Sequence, residues 1–62
     1  MAYTDKNGNK ISIGDTLKDS RGNEATIEKI GGIEMLVYRN KYKIIKTCIL
    51  SKVKFYEMEI VK

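Results

Sequence analysis

Basic and aromatic residues alternate in the second half of the chain. Between Met35 and Tyr56 there is no acidic residue, but there are six basic ones: Arg39, Lys41, Lys43, Lys46, Lys52 and Lys54. Tyr38 and Tyr42 lie among them. Cations neutralise phosphates and aromatic rings stack on bases, so this combination is typical of a surface that binds single-stranded nucleic acid. These six cations, with Tyr38 and Tyr42, are the candidate nucleic-acid-binding residues.

The distribution of charge along the chain favours the same surface. Residues 1–31 carry five basic and five acidic side chains, whereas residues 32–62 carry seven basic and three acidic ones and hold the whole net charge of +4. A structural explanation also fits, because lysines on an edge strand prevent sheets from pairing edge to edge. The alternative to nucleic-acid binding is therefore protein binding, and a purely structural role in a larger assembly stays open.

Residues for catalysis are scarce. The chain has no histidine and a single cysteine, Cys48. Histidine is the commonest general base and the commonest transition-metal ligand, and a structural zinc site needs four ligands, mostly Cys or His. We therefore expect a binding module rather than an enzyme, with no catalytic residue, no cofactor and no metal. Cys48, flanked by isoleucines, is expected in the core.

One segment has the spacing of metal ligands. Asp5, Asn7 and Asn9 are placed like the first three ligands of an EF-hand calcium loop. The later positions do not match, because Lys10 stands where the loop needs glycine and Thr16 where it needs glutamate. The dipeptide at Asn7 and Gly8 predicts a tight type I′ turn instead.

The elements that must position these residues are short strands. The chain has no proline, and five glycines divide it into runs suited to strands. Strands are predicted within residues 13–19, 25–30, 33–38 and 43–50, with the first two pairing antiparallel. A helix over residues 44–54 is the alternative for the fourth strand. The shifted alternation of residues 53–61 predicts a bulge or one 3-10 turn near Tyr56.

These elements predict one domain over residues 1–62 with a mostly β fold, a small, partly open barrel of about five short antiparallel strands. Gly22 is expected to have a positive φ in the turn before the second of these strands. The expected core consists of Leu17, Ala25, Ile27, Met35, Val37, Ile45, Ile49, Phe55 and Ile60.

Two segments, residues 13–17 and 22–30, resemble the pattern of SH3-like barrels of the KOW type, although Ala25 stands at the glycine typical of that motif. This family occurs in ribosomal proteins and transcription elongation factors, where it contacts RNA or other proteins. The wider glycine pattern of residues 5–17 is similar to that of small SH3-like proteins of bacteriophages and mobile elements. The resemblance implies an SH3-like barrel whose partner is RNA or DNA, or else a host or phage protein.

The expected location is the cytoplasm. The first residues lack the apolar core of a signal peptide, and no run approaches the roughly 18 apolar residues of a membrane span. A small secreted domain usually carries disulfides, which a single cysteine cannot form within the chain. We expect no contact with a membrane.

Overall fold

The computed structural model of the protein describes residues 3–61. These residues form five strands, β1 (Thr16–Lys18), β2 (Glu24–Ile30), β3 (Ile33–Asn40), β4 (Lys43–Ile49) and β5 (Glu59–Ile60). Two 3-10 helices, Leu50–Lys52 and Phe55–Glu57, lie between β4 and β5. All strand pairs are antiparallel and form one open sheet in the order β4-β3-β2-β1-β5. The predicted mostly β fold of about five short strands is confirmed.

Local predictions for the last third of the chain are also confirmed. Residues 43–49 form a strand and not a helix, and a 3-10 turn contains Tyr56. The second 3-10 turn, immediately after β4, was not expected. No helix within residues 3–61 has the length and apolar character needed to cross a membrane.

Two hairpins connect β2, β3 and β4. Gly31 and Gly32 form the first two-residue turn, with φ values of 58° and 80°. Lys41 and Tyr42 form the second, between the paired residues Asn40 and Lys43. Lys41 has a φ of 54° and is the one non-glycine residue within residues 3–61 with a positive φ. Every glycine of the chain also has a positive φ, including Gly22 as predicted.

The first loop is organised by Asp5, which is 4 % exposed. Its backbone carbonyl accepts a hydrogen bond from Gly8 N (3.0 Å), and its Oδ1 accepts bonds from Asn7 N (3.0 Å) and Asn9 N (2.8 Å). Gly8 has a positive φ but Asn7 does not, so the predicted type I′ turn is wrong. The local cause is the Asp5 carboxylate, which fixes the loop by accepting backbone N–H groups.

The same five-residue pattern, Asp-x-x-Gly-Asn, recurs in the loop before β2. Asp19 Oδ1 accepts hydrogen bonds from Arg21 N and Asn23 N, both at 2.9 Å. Gly22 N donates to the backbone oxygen of Asp19 at 3.0 Å. One short sequence motif therefore builds two loops with the same set of hydrogen bonds.

The core lies on one face of the sheet, beneath the C-terminal 3-10 helices. Its buried members are Ile11, Leu17, Ala25, Ile27, Leu36, Leu50, Phe55 and Met58. Five of the expected core residues are buried, namely Leu17, Ala25, Ile27, Val37 and Phe55, while Met35 and Ile60 are half-buried. Cys48 is half-buried and packs against the core.

Two core predictions are wrong. Ile45 is 64 % exposed and Ile49 is 53 % exposed. Both belong to β4, which lies at the edge of the sheet with β3 as its single neighbour. Since nothing within residues 3–61 packs over that part of the strand, its apolar side chains stay in contact with solvent.

The two edges of the sheet differ. Beside β5, the oxygen of Met58 accepts a hydrogen bond from Lys6 N (2.8 Å), and Ile60 N donates to Asp5 Oδ2 (3.0 Å). The first loop therefore covers the β5 edge. The β4 edge has no backbone partner within residues 3–61.

Candidate nucleic-acid interface

The tip of the β3–β4 hairpin presents the most accessible of the predicted site residues. Lys41 and Tyr42 form the turn, Lys43 opens β4, and all three are exposed. Tyr42 is 95 % exposed, so its ring has almost no contact with the rest of the molecule. A tyrosine in such a position can stack on a base without first breaking contacts within the protein.

Lys46 and Tyr38 are cross-strand partners next to this tip. The Lys46 Nζ lies 5.9 Å from the centroid of the Tyr38 ring, within the range of a cation–π contact. The Tyr38 hydroxyl donates a hydrogen bond to Asp19 Oδ2 at 3.1 Å. Burial, together with this hydrogen bond and the charge of Asp19, raises the pKa of Tyr38 to about 12. Tyr38 is therefore engaged within the protein, whereas Lys46 is an exposed residue.

Arg39 is held by an acidic residue of β2. Its Nε and Nη2 donate to the two carboxylate oxygens of Glu28 at 2.9 and 2.8 Å. These hydrogen bonds and a further one from Thr26 lower the pKa of Glu28 to about 2. The pair also spans Val37, which is fully buried although it faces away from the core. Arg39 thus covers part of the sheet and is not a free cation.

Lys52 and Lys54 lie away from the hairpin tip. Both are exposed and follow the last residue of β4. With about 3.3 Å per strand residue, the seven residues of β4 separate them from Lys43 by about 20 Å. The structure therefore brings together four of the eight predicted residues, Lys41, Tyr42, Lys43 and Lys46, which we call the hairpin cluster.

The electrostatics of the hairpin cluster are uncompensated. The Arg39–Glu28 contact is the one ion pair within residues 3–61, so no lysine of the cluster has a carboxylate within ion-pair distance. Lys41, Lys43 and Lys46 are spaced two and three residues apart, so neighbouring lysines lie within about 10 Å of each other along the backbone and the outer two within about 17 Å. That spacing suits a polyanion that carries several phosphates.

Comparisons of the chain with protein-family models, with curated proteins and with solved structures returned no match.

A second feature of the same region was not predicted from the sequence. Four isoleucines on β3 and β4 are 46–64 % exposed, namely Ile33, Ile44, Ile45 and Ile49. The β-branched residues of β4 indicated a strand, but the sequence did not show that this strand lies at the edge. The signal that was available is the pair of lysines within the strand, Lys43 and Lys46, because edge strands are enriched in lysine.

Other parts of the described chain offer less for a ligand. One concavity, about 460 Å³, is a shallow groove lined by residues that include Tyr3, Lys29 and Glu34, with one charge of each sign. No group of three acidic or cysteine side chains suited to a metal ion occurs within residues 3–61. The hairpin cluster is the strongest candidate site in this part of the chain.

Proposed function

We propose that the protein is a non-enzymatic binding module that contacts single-stranded nucleic acid through the hairpin cluster. The observation that carries this proposal is the backbone of Lys41. Five of the six positive φ values within residues 3–61 belong to glycines, and the sixth belongs to a lysine at the hairpin tip. A residue kept in a strained backbone conformation, where glycine would be less strained, suggests a role for its side chain.

The neighbours of Lys41 support the same function. Tyr42 offers an exposed ring for stacking on a base, and Lys43 and Lys46 add two unpaired cations along the strand that follows. The sequence resemblance to KOW-type SH3-like barrels, including those of bacteriophages and mobile elements, agrees with a small RNA- or DNA-binding module that acts in the cytoplasm.

Oligonucleotide binding measured by fluorescence anisotropy over a range of salt concentrations tests the proposal. A labelled single-stranded oligonucleotide of about 15 nucleotides covers the site sizes of small β modules. For single strands, each phosphate contact contributes roughly 0.7 to the slope of log affinity against log salt, so three lysines should give a slope near 2.

The decisive variant replaces Lys41 and Lys43 by glutamate, and its control replaces the exposed Lys6 and Lys10 in the same way. Both variants change the net charge equally. We expect the first to weaken binding and flatten the salt dependence, and the second to change neither by a comparable amount. Equal effects of the two double substitutions, or no binding at about 50 mM salt, would remove the hairpin cluster as a nucleic-acid site.

Protein binding is the second candidate, and the exposed isoleucines of β4 favour it. Scattered exposed apolar residues are ordinary, but Ile44, Ile45 and Ile49 share one short edge strand. An interface with an apolar centre depends weakly on salt, unlike phosphate binding. A captured protein partner whose binding survives nuclease treatment and 0.5 M salt would favour this second function.

A further inference from the structure

The β4 strand offers a row of backbone hydrogen-bonding groups with no partner in the described chain. Residues 41–47 are all exposed, and within residues 3–61 no strand pairs with the edge of β4 that faces away from β3. An edge of this kind is a template for one further strand. The backbone edge and the isoleucines of β4 take no part in the nucleic-acid contact proposed above.

The register with β3 separates the side chains of β4 by chemistry. Cross-strand partners share a face of the sheet, and Lys43 and Lys46 pair with Asn40 and Tyr38 on the face that carries the core. Ile49 pairs with Met35 on the opposite, outer face. One face of the edge is therefore basic and the other apolar.

A bulge brings a further isoleucine to the outer face. The register shifts between Tyr38 and Arg39, so that Lys46 pairs with Tyr38 and Ile44 with Arg39. Ile45, between them, has no partner of its own and is the most exposed isoleucine of the chain. The outer face of β4 thus carries Ile44, Ile45 and Ile49 along its length.

A second copy of the chain fits this edge poorly. Full-length antiparallel pairing of two β4 strands would place Lys46 opposite Lys46 of the other copy, and like charges directly opposite destabilise a sheet. The same lysines attract carboxylates, so charge complementarity points to an acidic occupant.

We infer that β4 binds one extended peptide segment in which acidic residues alternate with β-branched apolar residues, and that this segment joins the sheet as an additional strand. Its carboxylates lie beside Lys43 and Lys46 on the core side, and its apolar side chains cover Ile45 and Ile49 on the outer side. Main-chain hydrogen bonds to β4 provide the affinity, and the two faces provide the specificity.

A synthetic peptide of four Glu-Val repeats, capped at both ends and fluorescently labelled, is the probe. Two control peptides contain lysine in place of glutamate, or the same residues in blocks of four Glu and four Val. We expect the alternating acidic peptide to bind at least about tenfold more tightly than either control. Equal binding of the alternating and block peptides would reduce the interaction to net charge and overturn the inference.

Methylation of peptide nitrogens tests strand addition directly. In an added strand, alternate amides face β4, so methylating one alternate set removes hydrogen bonds and methylating the other set does not. We expect one methylated peptide to lose about tenfold or more in affinity and the other to keep it. Equal affinities of the two methylated peptides would overturn the inference.

Variants of the protein separate this inference from the proposed function. The double change Lys43→Glu with Lys46→Glu should weaken peptide binding, whereas Lys6→Glu with Lys10→Glu should leave it unchanged. Tyr42→Ala should weaken oligonucleotide binding alone, because the peptide does not use the ring. Sedimentation of the free protein provides a last check. A dimer that dissociates when the peptide is added is compatible with the inference, because the peptide then displaces the second copy from β4. A dimer that persists in the presence of the peptide, with β4 covered by the second copy, overturns the inference.

Discussion

At the scale of single residues, the hairpin cluster couples stability to function through Lys41. The left-handed conformation costs a non-glycine residue about 1–2 kcal/mol. Replacing Lys41 by glycine removes this cost, but glycine also gives the unfolded chain more conformational freedom, which offsets part of the gain in stability. We expect Lys41→Gly to unfold at the same or a higher urea concentration, with a gain of up to about 1 kcal/mol, and to bind oligonucleotide more weakly. A destabilised variant would show that the tip is not strained.

At Gly22 a positive φ is occupied by glycine, so the opposite substitution, of glycine by a residue with a side chain, tests the same backbone strain. Its φ is 87°, and a Cβ added there would meet no atom within 4 Å. Any destabilisation of Gly22→Ala therefore comes from the backbone conformation and not from a steric clash. We expect a loss of about 1–2 kcal/mol in urea unfolding, and replacement of the exposed Ser20 by alanine serves as the control. Equal stability of Gly22→Ala and the parent protein would contradict the strain.

At the scale of elements, β3 and β4 should respond differently to loss of an apolar side chain. Leu36 of β3 is 1 % exposed, whereas Ile49 of β4, which pairs with Met35, is 53 % exposed. We expect Leu36→Ala to cost about 2–5 kcal/mol, enough to unfold a domain of this size, and Ile49→Thr to change stability by less than about 0.5 kcal/mol. Circular dichroism during thermal unfolding measures both, and similar losses would show that β4 is covered in solution.

The same two strands show what a local reading of the sequence can and cannot provide. The turn at Gly31 and Gly32 and the strand at residues 43–49 were predictable, because glycine permits positive φ and β-branched residues favour strands. The exposure of Ile45 was not, because it depends on which strand ends at the edge of the sheet. The pairing of Arg39 was missed for a similar reason, since its partner Glu28 is distant in sequence and adjacent only across β2 and β3.

At the scale of the whole molecule, three carboxylates link stability to pH. Burial opposes ionisation of Asp5 and Asp19, but hydrogen bonds lower the pKa of both carboxyl groups. Asp5 accepts these bonds from Ile60 N, Asn9 N and Asn7 N. Asp19 accepts them from Asn23 N and the Tyr38 hydroxyl. Arg39 and Thr26 lower the pKa of Glu28 to about 2. A carboxyl group whose pKa is lower in the folded than in the unfolded protein stabilises the folded state at pH values above its unfolded-state pKa. That unfolded-state pKa is about 4 for these groups.

This stabilisation should therefore disappear as the pH falls from about 4 toward 2. We expect the thermal midpoint to decrease steeply over that window and to change little between about pH 5 and 8. Glu28→Gln should be less stable than the parent protein at neutral pH and should show a shallower decrease in acid. A parent protein with the same midpoint at pH 2 and pH 6 would contradict these contacts.

Because the first loop covers the β5 edge of the sheet, a further strand cannot be added at that edge without displacing the loop. Addition of strands without end requires each added unit to offer a new acceptor edge. Here the first loop holds Met58 and Ile60 on one side, so copies cannot join β4 to β5 in succession without displacing that loop. Among the described residues, β4 is the one free edge of the sheet. Pairing of β4 with another strand would leave the β5 edge unchanged. Within residues 3–61, this arrangement favours complexes of fixed stoichiometry over open-ended strand addition.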